Sequence, residues 1–270
     1  MKKLIGLMSM VLVCGLAGSA VAQTYGDLTL NAEYLFDSAD PTADTSGNGY
    51  NLLGVGTAAT VGVADGYAGQ AYQGTNDSAN SWASFPAEAW GTTGSGGSMT
   101  IEAMLLLDDL NFGTGNIAAP FSSSGNGGTY FQFEGPSIDG DTLTTASNYW
   151  WGQGGWVGLY DTTSTEWKVG EWHHWQYSQD AGGENMRMWF DGVLLEEKHV
   201  PGVDYDGFVS TDVIYLGDEA GSAYPWIGKI DNVRLYQGWT ETAVPEPATM
   251  ALLGLGSAAM LRRRKLYHRK

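Results

Sequence analysis

Thiols are almost absent from this 270-residue chain: its one cysteine, Cys14, lies among the first 22 residues. A mature chain starting later would have no disulfide, no zinc–thiolate site and no cysteine nucleophile. Basic side chains are scarce as well. Eight of the 13 sit at the two ends (Lys2, Lys3, Arg262, Arg263, Arg264, Lys265, Arg269 and Lys270). Five basic residues then face 29 acidic ones between 23 and 243, a net charge of −24. Such a surface repels nucleic acid and anionic lipid, so nucleic acid is not an expected partner. It suits divalent cations, although solvation of a secreted protein also accounts for it. A sustained 3.6-residue apolar period is missing from the middle of the chain, which argues against helices there.

What is present begins with two end segments that read as processing signals. Lys2 and Lys3 precede an apolar run from Leu4 to Leu16, and Ala20-Val21-Ala22 has the form of an A-x-A cleavage site. This is the layout of a cleavable signal peptide over residues 1–22, with a mature start at Gln23. Val13 before Cys14 is not the small residue that a lipoprotein site requires. At the other end, Val244-Pro245-Glu246-Pro247 leads into an apolar run, Met250–Leu261, and then Arg262-Arg263-Arg264-Lys265. A helix over Ala248–Leu261 would span about 21 Å, short of the ~30 Å core of a bilayer. The reading is therefore a short C-terminal membrane helix with a cationic inner end. The segment 244–270 is expected to direct sorting and to contribute nothing to the fold of residues 23–243.

Between these ends, short alternating runs separated by Gly, Ser, Thr and Asn predict an all-β, two-sheet antiparallel sandwich. The expected strands are Leu30–Phe36, Gln70–Gly74, Ser98–Leu107, Tyr130–Glu134, Trp156–Tyr160, Trp172–Ser178, Met186–Phe190, Val213–Leu216 and Ile227–Tyr236. In Ser98–Leu107, Met99, Ile101, Ala103, Leu105 and Leu107 share one face, and Met104 and Leu106 make the far end apolar on both. Asp191-Gly192 between two such runs is the strongest hairpin signal, because a tight turn needs positive φ angles. Gly91–Ser98 and Ser122–Gly128 read as flexible connectors too short to divide the domain.

The tail, with its Pro-Glu-Pro, Gly/Ala/Leu-rich run and Arg cluster in that order, resembles the PEP-CTERM sorting signal of Gram-negative-type bacteria. The resemblance implies an exosortase-type membrane protease-transferase as partner, transient inner-membrane anchoring, and then display at the cell surface or release. The middle resembles the LamG-like, concanavalin A-like jelly roll. The residues carrying this are Ala32–Asp37 with Asp44-Thr45-Ser46-Gly47-Asn48-Gly49, Gly69–Gly74, Ser98–Ala103, Gly170–Trp175 with Met188–Gly192, and Leu216-Gly217 with Gly228–Tyr236. They occur in family order and cover most of residues 30–237. The family implies a fold shared by lectins, adhesion modules, glycosidase accessory domains and some enzymes.

Three candidate sites follow. Asp44, Ser46 and Asn48 alternate before Gly49 like the first half of a calcium loop, but the twelfth position is Val55, so a further ligand is needed. Asp231 in the closing strand is the chosen one, giving a structural Ca²⁺ that the family also implies. An Asx-type turn, with Asp231 bonded to backbone amides, is the alternative. His173 and His174 are neighbours in a strand, point to opposite faces, and cannot chelate one ion together. Asn148, Trp150, Trp151, Gln153 and Trp156 form an aromatic and amide-rich stretch on a Gly-rich loop suited to a glycan, since indole faces stack on sugars and amides bind hydroxyls. The competing reading is that these Trp side chains fill the core.

Sandwich glycosidases carry paired carboxylates such as E-x-D-x-x-E, and that pattern is missing here, as are G-x-S-x-G, H-E-x-x-H and a phosphate loop. The leading expectation is a non-catalytic exported protein of the cell surface or matrix, binding extracellular polysaccharide. A glycoside hydrolase or polysaccharide lyase with a non-standard site, and a structural matrix protein without a specific ligand, are the alternatives.

Overall fold

The computed structural model describes residues 24–25, 28–77, 80–90, 98–109, 117–124, 129–134, 142–143, 146–152, 155–161, 167–181, 184–199, 201, 213–217 and 225–244. The signal peptide, the tail beyond Val244 and Gln153 lie outside them. The strands of the first half are β1 (Thr24–Tyr25), β2 (Leu28–Tyr34), β3 (Gly54–Val55), β4 (Thr60–Ala64), β5 (Gln70–Gln73), β6 (Ala83–Pro86), β7 (Met99–Leu107), β8 (Ile117–Ser124) and β9 (Thr129–Glu134). Then come β10 (Thr142–Leu143), β11 (Ala146–Gly152), β12 (Gly155–Asp161), β13 (Trp167–Lys168), β14 (Trp172–Gln179), β15 (Asn185–Phe190), β16 (Val193–His199), β17 (Val213–Leu216) and β18 (Gly228–Gln237).

Two antiparallel sheets result. The first, sheet A, runs β1-β2-β18-β7-β14-β15-β16, and β5, carrying β4, shares with β2 one edge of β18. The second, sheet B, runs β12-β11-β9-β8-β17-β6-β3. Crossovers such as β2 to β18 and β8 to β17 place sequence-distant strands side by side, the jelly-roll pattern expected from the sequence. The closing strand does lie beside the first, with Val233 opposite Tyr34.

The core lies between the sheets. Met99, Ile101, Ala103, Leu105 and Leu107 of β7, Trp175 and Tyr177 of β14, and Val233 and Leu235 of β18 fill it from sheet A. Phe85 of β6, Phe121 of β8, and Ile214 and Leu216 of β17 fill it from sheet B. Trp175 stacks on Phe121 with ring centroids 5.7 Å apart, joining the two layers. At about 25 cal/mol per Å² of buried apolar surface, each such aromatic contributes several kcal/mol. The hairpin between β15 and β16 turns at Asp191 (φ 48°) and Gly192 (φ 75°), both positive as a two-residue turn of this hand requires.

Two local expectations are corrected. Ser122–Gly128 is not wholly a connector, because Ser122–Ser124 complete β8 and pair with β17. The stretch Asn148–Trp156 is not a Gly-rich loop. Small residues hide a strand signal, and β11 and β12 pair from Ala146 opposite Asp161 to Gly152 opposite Gly155. The far boundary also moves. Val244 is only 3% exposed and packs with Leu28, Leu30 and Tyr236, so the sandwich extends one residue into the segment expected to stay outside it.

Candidate functional site

Strand alternation decides which side chains sheet B turns away from the core. Phe121, Ile214, Leu216 and Phe85 point inward, so Ser122, Tyr215 and Ser84, which alternate with them, belong to the outer face. The register lines these up across the sheet: Gly54 opposite Ser84, Ser84 opposite Tyr215, and Tyr215 opposite Ser122. It continues with Tyr130 opposite Ser122 and Tyr149 opposite Tyr130. At about 4.8 Å per strand, this row from β3 to β11 is about 24 Å long.

Trp82, just ahead of β6, adds a second aromatic where the row reaches Gly54. Its indole meets the Tyr215 ring edge-on at 5.7 Å, and both rings are partly exposed. The strand opposite has a glycine at the contact: a Cβ at Gly54 would lie 3.5 Å from the Trp82 ring. Ser122 is 1% exposed, and its Oγ is buried with no hydrogen-bond partner among the described residues. Ser84 is likewise buried at 5%, so the rings of Trp82 and Tyr215 are the side chains of this row shown reaching solvent among the described residues.

The aromatic residues singled out in the sequence divide by register. Trp151 and Trp156 are opposite each other across the β11–β12 hairpin, at positions sharing the face of Tyr149. Asn148 is opposite Phe131, and Phe131 opposite Phe121, the register alternate to that of Tyr149. Neither Trp82 nor Tyr215 was singled out from the sequence. Tyr215 was legible in the alternation of Val213–Leu216. Trp82 was not, because the four-residue β6, Ala-Ser-Phe-Pro, is too short to register as a strand.

The calcium-loop residues do gather, and they bond to one another. Asp44 Oδ1 accepts from the amides of Glu33 (3.0 Å) and Ser46 (2.9 Å). Oδ2 accepts from the Ser46 hydroxyl (2.9 Å) and the Tyr50 amide (3.0 Å). Four donors match the roughly four lone-pair sites of a carboxylate. Asn48 Nδ2 donates to the Asn31 carbonyl at 2.8 Å, pinning the loop to β2.

Asp231 has other partners. It sits at a bulge before Asn232, whose φ is 49°, and accepts from the amides of Asn232 (2.6 Å) and Ala68 (3.2 Å). Burial, helped by the nearby Asp37 carboxylate, pushes its carboxyl up to about 6 against these amides. Asp37 in turn accepts from the Gln70 amide, and Gly69 leaves it room, since a Cβ there would lie 2.3 Å from Oδ1. Among the described residues, no group of three or more His, Cys, Asp or Glu side chains is placed to hold a metal.

Sheet A treats its outer face differently. Glu102 is 2% exposed there, and its Oε1 accepts from Tyr236 OH (2.8 Å) and Arg234 Nη1 (3.3 Å). His174 Nε2 lies 3.1 Å from Oε2, and Arg234 Nε donates to Glu33 Oε1 at 2.7 Å. His173 is on the other side of the strand, 2.9 Å from Asp191 and stacked on Phe190, so the two histidines serve separate partners. Opposite charges close to Arg234 hold its guanidinium protonated despite burial. The residues from Tyr67 to Ala68 cover one end of this face, with Tyr67 edge-on to Trp172 at 6.0 Å.

With this architecture established, the likenesses to known proteins agree with it. The concanavalin A-like lectin/glucanases superfamily matches residues 77–241. The chain belongs to that superfamily. A PEP-CTERM protein-sorting motif matches residues 243–265 and marks the chain for export to the cell envelope or surface. No curated protein sequence matches the chain.

Among solved structures, domain 4 of AbnA, a GH43 extracellular arabinanase from Geobacillus stearothermophilus, in complex with arabinotriose, has a TM-score of 0.54 at 19% identity. That likeness covers 78% of this chain and 93% of the domain. The botulinum neurotoxin serotype G binding domain has a TM-score of 0.59 at 11% identity, and the serotype D ligand-binding domain in complex with N-acetylneuraminic acid 0.55 at 12%. Each likeness covers 78% of this chain and about half of the neurotoxin chain. At these identities the likeness is one of fold.

Proposed function

We propose that the exported domain binds an extended polysaccharide on the outer face of sheet B and does not cleave it. The observation that carries this reading is the cross-strand row of aromatic and hydroxyl residues ending at Trp82 and Tyr215. Indole and phenol rings offer flat apolar faces to sugar C–H surfaces. A row of about 24 Å fits several linked sugars better than one. A net charge of −24 between residues 23 and 243 favours a neutral polymer over a polyanionic one. In this reading Trp151 and Trp156, opposite each other in the register of β11 and β12, contribute to the same ligand face. The arabinotriose and N-acetylneuraminic acid complexes of proteins with this fold support a carbohydrate ligand in general and leave the sugar open.

Glu102 supports the non-catalytic reading. A general acid or nucleophile must reach the substrate, whereas this carboxylate is sealed and bonded to three side chains of its own sheet, sheet A. A structural Ca²⁺ belongs to the same proposal, with Asp231 and Asp37 as its carboxylates. Hard oxygen donors suit it, and a divalent cation would offset the repulsion between the two groups. Asp44, with its lone pairs engaged by four donors, would serve as a loop anchor.

The test is binding of neutral polysaccharides by the purified domain, with Trp82→Ala as the variant. Loss of at least tenfold in affinity with the fold intact is expected. Release of reducing sugar, abolished by one carboxylate substitution, would overturn the non-catalytic part.

A further inference from the structure

The chain does not leave the sandwich at the end of β18. It turns back across the outer face of sheet A, and each step is held. The Thr100 hydroxyl donates to the Gly238 carbonyl at 3.0 Å. The Thr240 amide donates to Ser178 Oγ at 2.9 Å, and the Val244 amide to Gln176 Oε1 at 2.6 Å. Arg187 of β15 lies over the Trp239 ring at 4.7 Å and 3.8 Å from the Glu241 carboxylate. The run therefore reaches out over β7 and β14 to β15 and returns, so that Val244 packs against Leu28 and Tyr236. Tyr236 is also a donor to Glu102, which puts the end of this run beside the sealed charge network.

The sorting motif begins at Ala243, so motif and fold share Ala243 and Val244. We propose that residues 238–244 are a structural strap retained in the mature protein, and that the sorting enzyme cuts beyond Val244. This rests on the reading of the chain as an exported, tail-processed protein. A cut within the strap would leave Gln176 and Ser178 without their backbone partners and open Tyr236 and the Glu102 network to water, a costly exposure of paired buried charge.

The experiment takes the exported protein from its producing cells and measures its intact mass. The C-terminus is expected at Val244 or beyond, and a terminus upstream of Val244 would overturn the proposal. Melting curves form the second arm. A full chain carrying Val244→Asp is expected to melt at least about 5 °C lower, the shift that loss of a small set of buried contacts produces in a domain of this size. Insertion of Gly-Ser-Gly-Ser between Val244 and Pro245 is expected to leave the melting temperature unchanged. Unchanged melting of Val244→Asp would show that the run does not brace the fold and would overturn the proposal. Polysaccharide binding is not read in either arm, so failure of the glycan reading cannot be mistaken for failure of the strap.

Discussion

The outer faces of the two sheets are made by the same alternation and put to different uses. Sheet A encloses its outward-facing side chains. The strap and the Tyr67–Ala68 segment lie over it, and beneath them Glu102, His174, Arg234, Tyr236 and Glu33 satisfy one another. Sheet B presents Trp82 and Tyr215 partly exposed, with Ser84 and Ser122 in the same row. The difference shows why charge and function need not coincide. The polar cluster around Glu102 braces the fold, while the proposed ligand face offers the Trp82 and Tyr215 rings.

The comparison is broken most severely at Arg234. Arg234→Ala leaves the buried Glu102 and the half-buried Glu33 without their guanidinium and is expected to cost about 3–5 kcal/mol, read from chemical denaturation. Polysaccharide affinity measured below the melting transition should stay within twofold. A comparable loss is expected from Trp175→Ala in the core, about 3–5 kcal/mol. Asp44→Ala comes next, at about 2–3 kcal/mol, because it removes one acceptor that four donors share. The response of the melting temperature to Ca²⁺ should survive this change and vanish in Asp231→Asn.

Asp231 also sets a pH dependence. Its folded carboxyl stands near 6, above the ordinary value of 3.8, so the folded state holds the proton more tightly than the unfolded chain. Stability is then greatest below the ordinary value and declines as pH rises through about 6. In chelator, the melting temperature should fall by a few degrees between about pH 4 and pH 7 on this account. Ca²⁺ should restore it above pH 6, and Asp231→Asn should flatten the slope. The smallest effect on stability belongs to sheet B: Trp82→Ala, with its ring partly exposed, is expected to cost less than about 2 kcal/mol.

Much of sheet A could be read from the sequence. Ser98–Leu107 and Met186–Phe190 alternate strongly, Asp191-Gly192 marks its turn, and the observed strands differ from the expected ones by a residue or two. Sheet B was harder. Ile117–Ser124 is rich in Ala and Ser, whose small side chains give weak alternation, and in Ala146–Gly152 the consecutive Tyr149, Trp150 and Trp151 break it. The candidate sites were partly legible for a related reason. Side-chain chemistry marked Asp231, Trp151 and Trp156, but only pairing across distant strands puts Trp151 and Trp156 on one face with Tyr149. The same pairing brings Tyr215 into one row with Ser122. Asp44 was noticed for its loop spacing, and the hydrogen bonds show that spacing serving a turn.

The division between the two faces is tested most directly by titrating the 23–244 domain with a panel of neutral polysaccharides, comparing wild type with Trp82→Ala and Arg234→Ala under conditions where all three are folded. The account predicts that Trp82→Ala loses at least tenfold in affinity with little change in melting temperature, while Arg234→Ala melts far lower and binds as wild type does. Equal binding by wild type and Trp82→Ala, or loss of affinity confined to Arg234→Ala, would contradict it.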